Sequence, residues 1–450
     1  MMQKNFIRRI FDEIIERPPL VLTIGFFIVI TLGGIILSTP FVTKSGESTN
    51  IIDAFFVAAS ASCVTGLSPV NTAEHWNTFG HVIILILIQI GGLGVMSLAS
   101  LIPLILRKKI GLQSRLILKE QLNTESMAGV LKLFRYVLFF TLAIEGVGAL
   151  FLAIRFVPAY GFSKGLWFAI FHSISAFCNA GFDILGDSLY PLRYDYLVNI
   201  TIMALIAIGG LGFMVTSEIY NKRELNHLST HTKLVLLTNI ALIVVGGLGF
   251  FILESIRGGV LVNESLGHGL LISFFQSVSA RTAGFYSLDL SQIKDSTSIL
   301  LMNLMFIGGS PGSTAGGIKT TTFIVILLAV ISVIKNQKEP VVFKRSISND
   351  TIKKALSILV VSMTLMVIVC FILAAMNDLK FIDILFETVS ALGTVGTTKG
   401  ITDKISGLSK VIIGSCMYLG RIGPMTMALS FGLKSDDRLI RYPEAFISIG

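Results

Sequence analysis

The residues in this chain best placed to do chemistry are glycines, and that chemistry is the coordination of a dehydrated cation by main-chain oxygen. Four tetrapeptides share one form: Val64-Thr65-Gly66-Leu67, Asn179-Ala180-Gly181-Phe182, Thr282-Ala283-Gly284-Phe285 and Thr394-Val395-Gly396-Thr397. Ten residues before each glycine stands a phenylalanine (Phe56, Phe171, Phe274, Phe386), and five before it a small residue (Ala61, Ala176, Ser279, Ala391). A second step follows each one: Gly91-Gly92, Gly209-Gly210, Gly308-Gly309 and Gly420-Arg421. Self-similarity at a period of roughly 110 residues means one structural unit used four times. Glycine adopts φ values that turn successive carbonyls the same way, with no Cβ to clash. Four such loops around one axis can replace the water shell of a cation with carbonyl oxygens.

Other chemistries find no support. The chain has no HExxH, no GxSxG and no dinucleotide fingerprint, and its six histidines are scattered without metal-ligand spacing. Four cysteines in so long an apolar chain do not make a disulfide framework; Cys63 and Cys178 occupy the same place in two repeats and read as small packing residues. The second glycine steps have a plainer reading than ion binding, as close helix-packing contacts, and for Gly91-Gly92 and Gly209-Gly210 it is the better one. For the four loop glycines the filter is the better reading.

The elements that must hold these loops follow from composition. Of 450 residues, 53% are hydrophobic and only 14% charged, with a mean hydropathy of +0.80. A soluble domain is near a quarter charged, so this composition is that of an integral membrane protein. Each repeat reads as a spanning helix, a half-helix too short to span, a glycine loop and a second spanning helix. The segments are Leu20–Thr39, Asn50–Ser62 and Gly80–Leu106; Leu133–Phe156, Gly165–Phe177 and Leu197–Tyr220; Leu234–Ile256, His268–Ala280 and Ile299–Ile334; Ala355–Ala375, Phe381–Leu392 and Val411–Leu433. The chain divides into a cytoplasmic N-terminus (1–19), repeats over 20–110, 133–220, 234–335 and 355–433, and a cytoplasmic tail (434–450). The fold class is all-α and integral to the membrane: four tandem helix–pore-loop–helix repeats, eight transmembrane helices and four re-entrant half-helices around one pseudo-fourfold pore.

The net charge of +9 is a topology signal. On the side of the N-terminus 23 lysines and arginines fall in the ends and loops, against 10 on the other side; Arg281, Lys319 and Arg421 lie at depth. Positive-inside asymmetry puts both termini in the cytoplasm. A nucleic-acid partner would need a soluble basic face, which this chain lacks; membrane lipid is its surrounding.

The third repeat's last helix is interrupted by Gly308-Gly309-Ser310-Pro311-Gly312-Ser313-Thr314-Ala315-Gly316-Gly317-Ile318-Lys319. Proline and five glycines do not continue a helix cheaply. Ile318 separates Gly317 from Lys319, and no strand precedes the stretch, so it is not a phosphate-binding loop. A polar loop in mid-helix (308–320) lies where it can obstruct the path, the alternative being a kink away from the axis. Arg421 stands mid-membrane, where a charge is a functional candidate. It can repel cations or hold that loop; the alternative is a buried pair with Glu218 or Glu145. Arg281 and Glu387, beside the third and fourth loops, read equally as functional groups or as a structural pair.

These residues carry a resemblance to the Trk/Ktr/HKT superfamily of potassium transporters over essentially the whole chain, and most to its KtrB-type bacterial membrane subunits. It rests on the four filter glycines, the broken helix and Arg421. The resemblance implies an intramembrane gate at 308–320, and potassium rather than sodium as the ion because Gly66 is not serine. It further implies a homodimer on a cytosolic KtrA-type ring that binds the nucleotide, since this chain carries no nucleotide site, with sodium as a candidate co-ion. The bacterial cytoplasmic membrane is the expected location. The basic loops 107–135 and 335–354 are candidate docking surfaces or ordinary positive-inside charge, and Arg441-Tyr442-Pro443-Glu444 a candidate dimer contact. A sodium/potassium symporter or an alternating-access carrier stays open as the alternative; an enzyme does not, because no nucleophile, base and metal ligands converge.

Overall fold

The computed structural model describes residues 18–94, 119, 130–222 and 224–423. The first unit begins with helix α1 (Pro18–Leu37), a short helix α2 (Ile51–Ser62) and helix α3 (Thr78–Leu93). The second holds α4 (Val130–Tyr160), α5 (Phe162–Phe177), α6 (Tyr196–Gly210) and α7 (Phe213–Lys222). The third holds α8 (Thr230–Ser255), α9 (Leu266–Ser279), α10 (Asp295–Phe306) and α11 (Thr320–Ile334). The last holds α12 (Asn349–Met376), α13 (Phe381–Gly393) and α14 (Gly407–Ile422).

Polar side chains start these helices where the apolar runs begin. Asn50, Asn77, Asp195, Ser229, Ser265, Ser348 and Ser406 each accept a hydrogen bond from a backbone N–H of the first turn, which satisfies donors the helix leaves orphaned. Among the described residues α1, α4, α8 and α12 contain stretches long and apolar enough to cross a membrane, and no more than 33% of any of these stretches is buried. Their outward faces carry Phe27, Leu32, Phe139, Leu150, Leu237, Val245, Val367 and Phe371 in the open. Water would punish such a surface, and lipid does not.

The structure amends the sequence reading in three places. Leu197–Tyr220 is not one straight span: α6 and α7 meet at 96° around Leu211-Gly212. The break within Ile299–Ile334 falls as expected, and there Ile307 and Ile318 pair as a short parallel bridge. The chain is not purely helical, because Val341–Val342 and Arg345–Ser346 form a small antiparallel hairpin. The third short helix is out of register with the others. Phe56, Phe171 and Phe386 are buried, but in the third unit the buried residue is Phe275, with Phe274 half-buried. Residues 95–106 and 424–433, the expected ends of α3 and α14, lie outside the described residues, as do 120–129 and the tail at 441–444.

A candidate ion pathway

Just past the end of each short helix comes a residue of positive φ that is not glycine: Val64 (57°), Asn179 (59°), Thr282 (70°) and Thr394 (50°). Two residues later comes a glycine of positive φ: Gly66 (102°), Gly181 (69°), Gly284 (82°) and Gly396 (98°). Left-handed backbone costs about 1–2 kcal/mol at a residue with a Cβ, so the recurrence of this strain in all four loops marks a shared job. A serine fixes each loop to its helix. Gly66 N–H donates to Ser60 Oγ at 3.0 Å and Gly396 N–H to Ser390 Oγ at 3.1 Å. Ser175 Oγ donates to the Phe182 carbonyl at 2.7 Å, and Ser279 Oγ to that of Phe285.

The loops meet one another in chain order. A Cβ built on Gly66 would lie 2.6 Å from the carbonyl oxygen of Ala180, one on Gly181 2.7 Å from that of Ala283, and one on Gly284 2.6 Å from that of Val395. A Cβ on Gly396 would overlap the carbonyl oxygen of Thr65, which closes the ring. Four backbones approach so closely that no side chain fits between them, and the carbonyl before each glycine faces its neighbour's glycine. The polar atoms gathered here are main-chain oxygens, the ligand type that suits a hard monovalent cation. The side-chain hydroxyls of Thr65, Thr282 and Thr394 have no hydrogen-bond partner among the described residues.

The loop 308–320 packs directly against this ring. Ser310 N–H donates to the Gly210 carbonyl at 3.0 Å, Thr314 N–H to that of Gly209 at 3.3 Å, and Phe213 N–H to that of Gly312 at 2.8 Å. Gly209-Gly210 is therefore more than a packing contact: the bend after α6 frees carbonyls that the loop then satisfies. Gly91-Gly92 also packs closely, Gly91 on the Ser62 carbonyl and Gly92 on Cys178. Yet the Gly91 carbonyl accepts a hydrogen bond from Arg421 Nη2 at 2.5 Å, while Nη1 of Arg421 donates to the Thr314 carbonyl. No carboxylate pairs with Arg421 among the described residues, so neither Glu218 nor Glu145 is its partner. Lys319 Nζ donates to the Ala315 carbonyl at 2.7 Å. Beneath the ring lies a cavity of about 340 Å³ lined by Phe26, Gly91, Pro311, Lys319 and Arg421 among others.

Glu387 and Arg281 do not pair. The buried Glu387 carboxyl accepts from the hydroxyls of Thr398 at 2.6 Å and Thr402 at 2.5 Å, bracing the segment after the fourth loop. Arg281 donates to main-chain carbonyls instead. The serines 60, 175 and 390 escaped the sequence reading, and Ser279 entered it only as a small residue, although each lies four residues after a buried phenylalanine. No group of metal-binding side chains occurs among the described residues.

Comparison with known proteins places this arrangement. The family model described as "TrkH: Cation transport protein" matches residues 17–442. The chain is 42% identical to the potassium/sodium uptake protein NtpJ of Enterococcus hirae, over 96% of this chain and 97% of that protein. It is 44% identical to Ktr system potassium uptake protein B of Bacillus subtilis, over 96% and 97% respectively. In fold it is similar to the crystal structure of the potassium transporter TrkH from Vibrio parahaemolyticus, with a TM-score of 0.73 at 18% identity, covering 92% of this chain and 84% of that one.

Proposed function

This chain belongs to the TrkH family of cation transport proteins, and from that premise we propose that it is the potassium-translocating membrane subunit of a Ktr-like uptake system. It is a membrane transport protein, not an enzyme. The observation that carries the reading is the closed ring of approaches Gly66–Ala180, Gly181–Ala283, Gly284–Val395 and Gly396–Thr65. Oxygens held that close by four backbones replace a hydration shell without moving, so desolvation of the ion is offset at once. In this reading the four tetrapeptides are the selectivity filter, each short helix is a re-entrant half-helix, and the helices between them supply eight spans with both termini in the cytoplasm. The half-helix dipoles add to the field at the axis.

The loop 308–320 is then the gate. Its docking on Gly209, Gly210 and Arg421 supports a closed position below the filter, and a guanidinium there both fastens the loop and repels cations. Relatives named as Ktr system proteins support a second, cytosolic component; it is the site of nucleotide regulation, with this chain a homodimer. A relative named for potassium and sodium supports a test of sodium as activator or co-ion.

The deciding experiment is radioactive rubidium uptake into proteoliposomes, with potassium, sodium or lithium as competitors, for the native chain and Gly66→Ser. Block by potassium and not by sodium, with that preference weakened in the variant, is the expected result. Native uptake indifferent to the competing cation would rule the filter out. Counter-flow that requires sodium on the same side as rubidium would favour the symport reading.

A further inference from the structure

We propose that Arg281 couples the third filter loop to the gate, so that release of the intramembrane loop and loss of ion discrimination are one linked event. The inference rests on the reading of the ring as a filter and of 308–320 as a gate. Arg281 stands three residues before Gly284, in the turn that ends α9, and is only 6% exposed. Its guanidinium reaches out of its own loop. Nη2 donates to the carbonyl of Gly308 at 3.0 Å, and Nη1 to the carbonyl of Asn239 on α8 at 3.4 Å. Asn239 in turn donates from Nδ2 to the Ser310 hydroxyl at 3.1 Å. The Thr320 hydroxyl lies 3.2 Å from the same oxygen. The first limb of the gate is thus tied to a filter turn and to α8 together.

The equivalent positions in the other loops are Cys63, Cys178 and Gly393, none of which can make this contact. The second limb also touches the filter, but through neutral groups. Thr314 Oγ1 donates to Asn179 Oδ1 at 3.3 Å, and a Cβ on Gly317 would come 3.4 Å from the Gly393 carbonyl. Among the described residues Arg281 supplies the charge-assisted bond between a filter turn and the gate, the stronger kind of hydrogen bond. No carboxylate lies within ion-pair distance of it among those residues.

The consequence is mechanical. To clear the path the loop must withdraw, which takes the Gly308 carbonyl off the guanidinium. A buried charge stripped of an acceptor is costly, so the turn that carries Arg281 shifts with the loop and disturbs the carbonyls of Thr282 and Ala283. Linkage makes the effect reciprocal: an ion seated in the filter holds the gate closed by as much as the open gate weakens the seat. Arg281 is accordingly a positioning residue, distinct from Arg421, whose hydrogen bonds go to the carbonyls of Thr314 and Gly91 and, among the described residues, to no filter turn.

The test uses the full chain in proteoliposomes and reads two quantities: the rubidium uptake rate, and the ratio of sodium to potassium needed for half-inhibition. For Arg281→Gln, uptake rises severalfold and the ratio falls by about tenfold, the scale of one charge-assisted bond. For Arg421→Ser, uptake rises and the ratio stays at the wild-type value. A wild-type ratio in Arg281→Gln overturns the coupling, and so does an equal fall in Arg421→Ser, since any loosened loop would then degrade the filter. If Arg281→Gln does not fold, Arg281→Lys takes its place. Its ammonium reaches one carbonyl where the guanidinium reaches two, and discrimination must fall in step with rising uptake; faster uptake at full discrimination overturns the proposal. A wild-type ratio near one overturns the filter reading, and this inference with it.

Discussion

At Gly396 the backbone leaves no room for a side chain: φ is +98° and a Cβ would overlap the Thr65 carbonyl. Gly46 also has positive φ, +73°, yet nothing lies within 4 Å of its Cβ direction. Alanine at either site carries a strain of about 1–2 kcal/mol, but only at Gly396 does it displace a candidate ligand. Gly46→Ala is therefore expected to transport with native selectivity at slightly lower thermal stability, and Gly396→Ala to lose selective uptake. Competition of rubidium uptake by potassium and sodium separates the two. Glu387 offers a graded test at the same scale. Glu387→Ala strips two buried threonine hydroxyls of their acceptor, at about 1–3 kcal/mol for each unsatisfied group, and lowers the unfolding temperature in detergent. Glu387→Gln keeps an accepting oxygen and loses less. Equal unfolding temperatures for the two variants would mean the carboxyl does not brace this segment. The loop glycines could be read from sequence because their repetition is visible in it. The bracing role of Glu387 could not, because Thr398 and Thr402 are polar residues in a loop like many others.

Among the elements, the bend between α6 and α7 changes the meaning of a motif. Gly209-Gly210 reads as a helix-packing contact in sequence, and packing explains Gly91-Gly92 in part. In the structure the helix breaks at Leu211-Gly212 because Gly212 takes φ +96°, and the loop from the third unit lies across the break. A Cβ on Gly212 would stand 2.5 Å from the Pro311 carbonyl. Gly212→Ala is therefore expected to push the loop out of its seat and raise rubidium uptake measured without any activating partner. Unchanged uptake would mean that the loop does not depend on this seat. The third short helix carries a similar lesson. The Ala283 N–H bonds back four residues to the Ser279 carbonyl, whereas Thr65, Ala180 and Val395 each bond back five. The third loop is thus one residue tighter, which explains why Phe275 takes the place that Phe274 was expected to fill.

For the whole molecule the testable property is sidedness. The loop after α1 exposes Ser48, and the hairpin after α11 exposes Ser346. The four native cysteines are buried, so background labelling is low. If the charge asymmetry reports topology, Ser48→Cys is labelled by an impermeant maleimide on intact cells and Ser346→Cys only after permeabilisation. The opposite pattern would invert the molecule and put the loop 308–320 on the outer side of the filter.

Sequence alone determined the membrane class, from a charged fraction too low for water, and the fourfold repetition, because the same backbone demand recurs with the same residues. It also located the broken helix, since glycine and proline act locally, and it singled out Arg421, since a charge in an apolar run is conspicuous. What only the tertiary structure decided is which groups meet. That the loops close into a ring in chain order depends on backbone approaches among four distant segments. That Arg421 bonds to Gly91 and Thr314, and Arg281 to Gly308, depends on carbonyls freed where helices break. Main-chain carbonyls are the same at every residue, so a sequence holds no mark of which of them a buried cation will find.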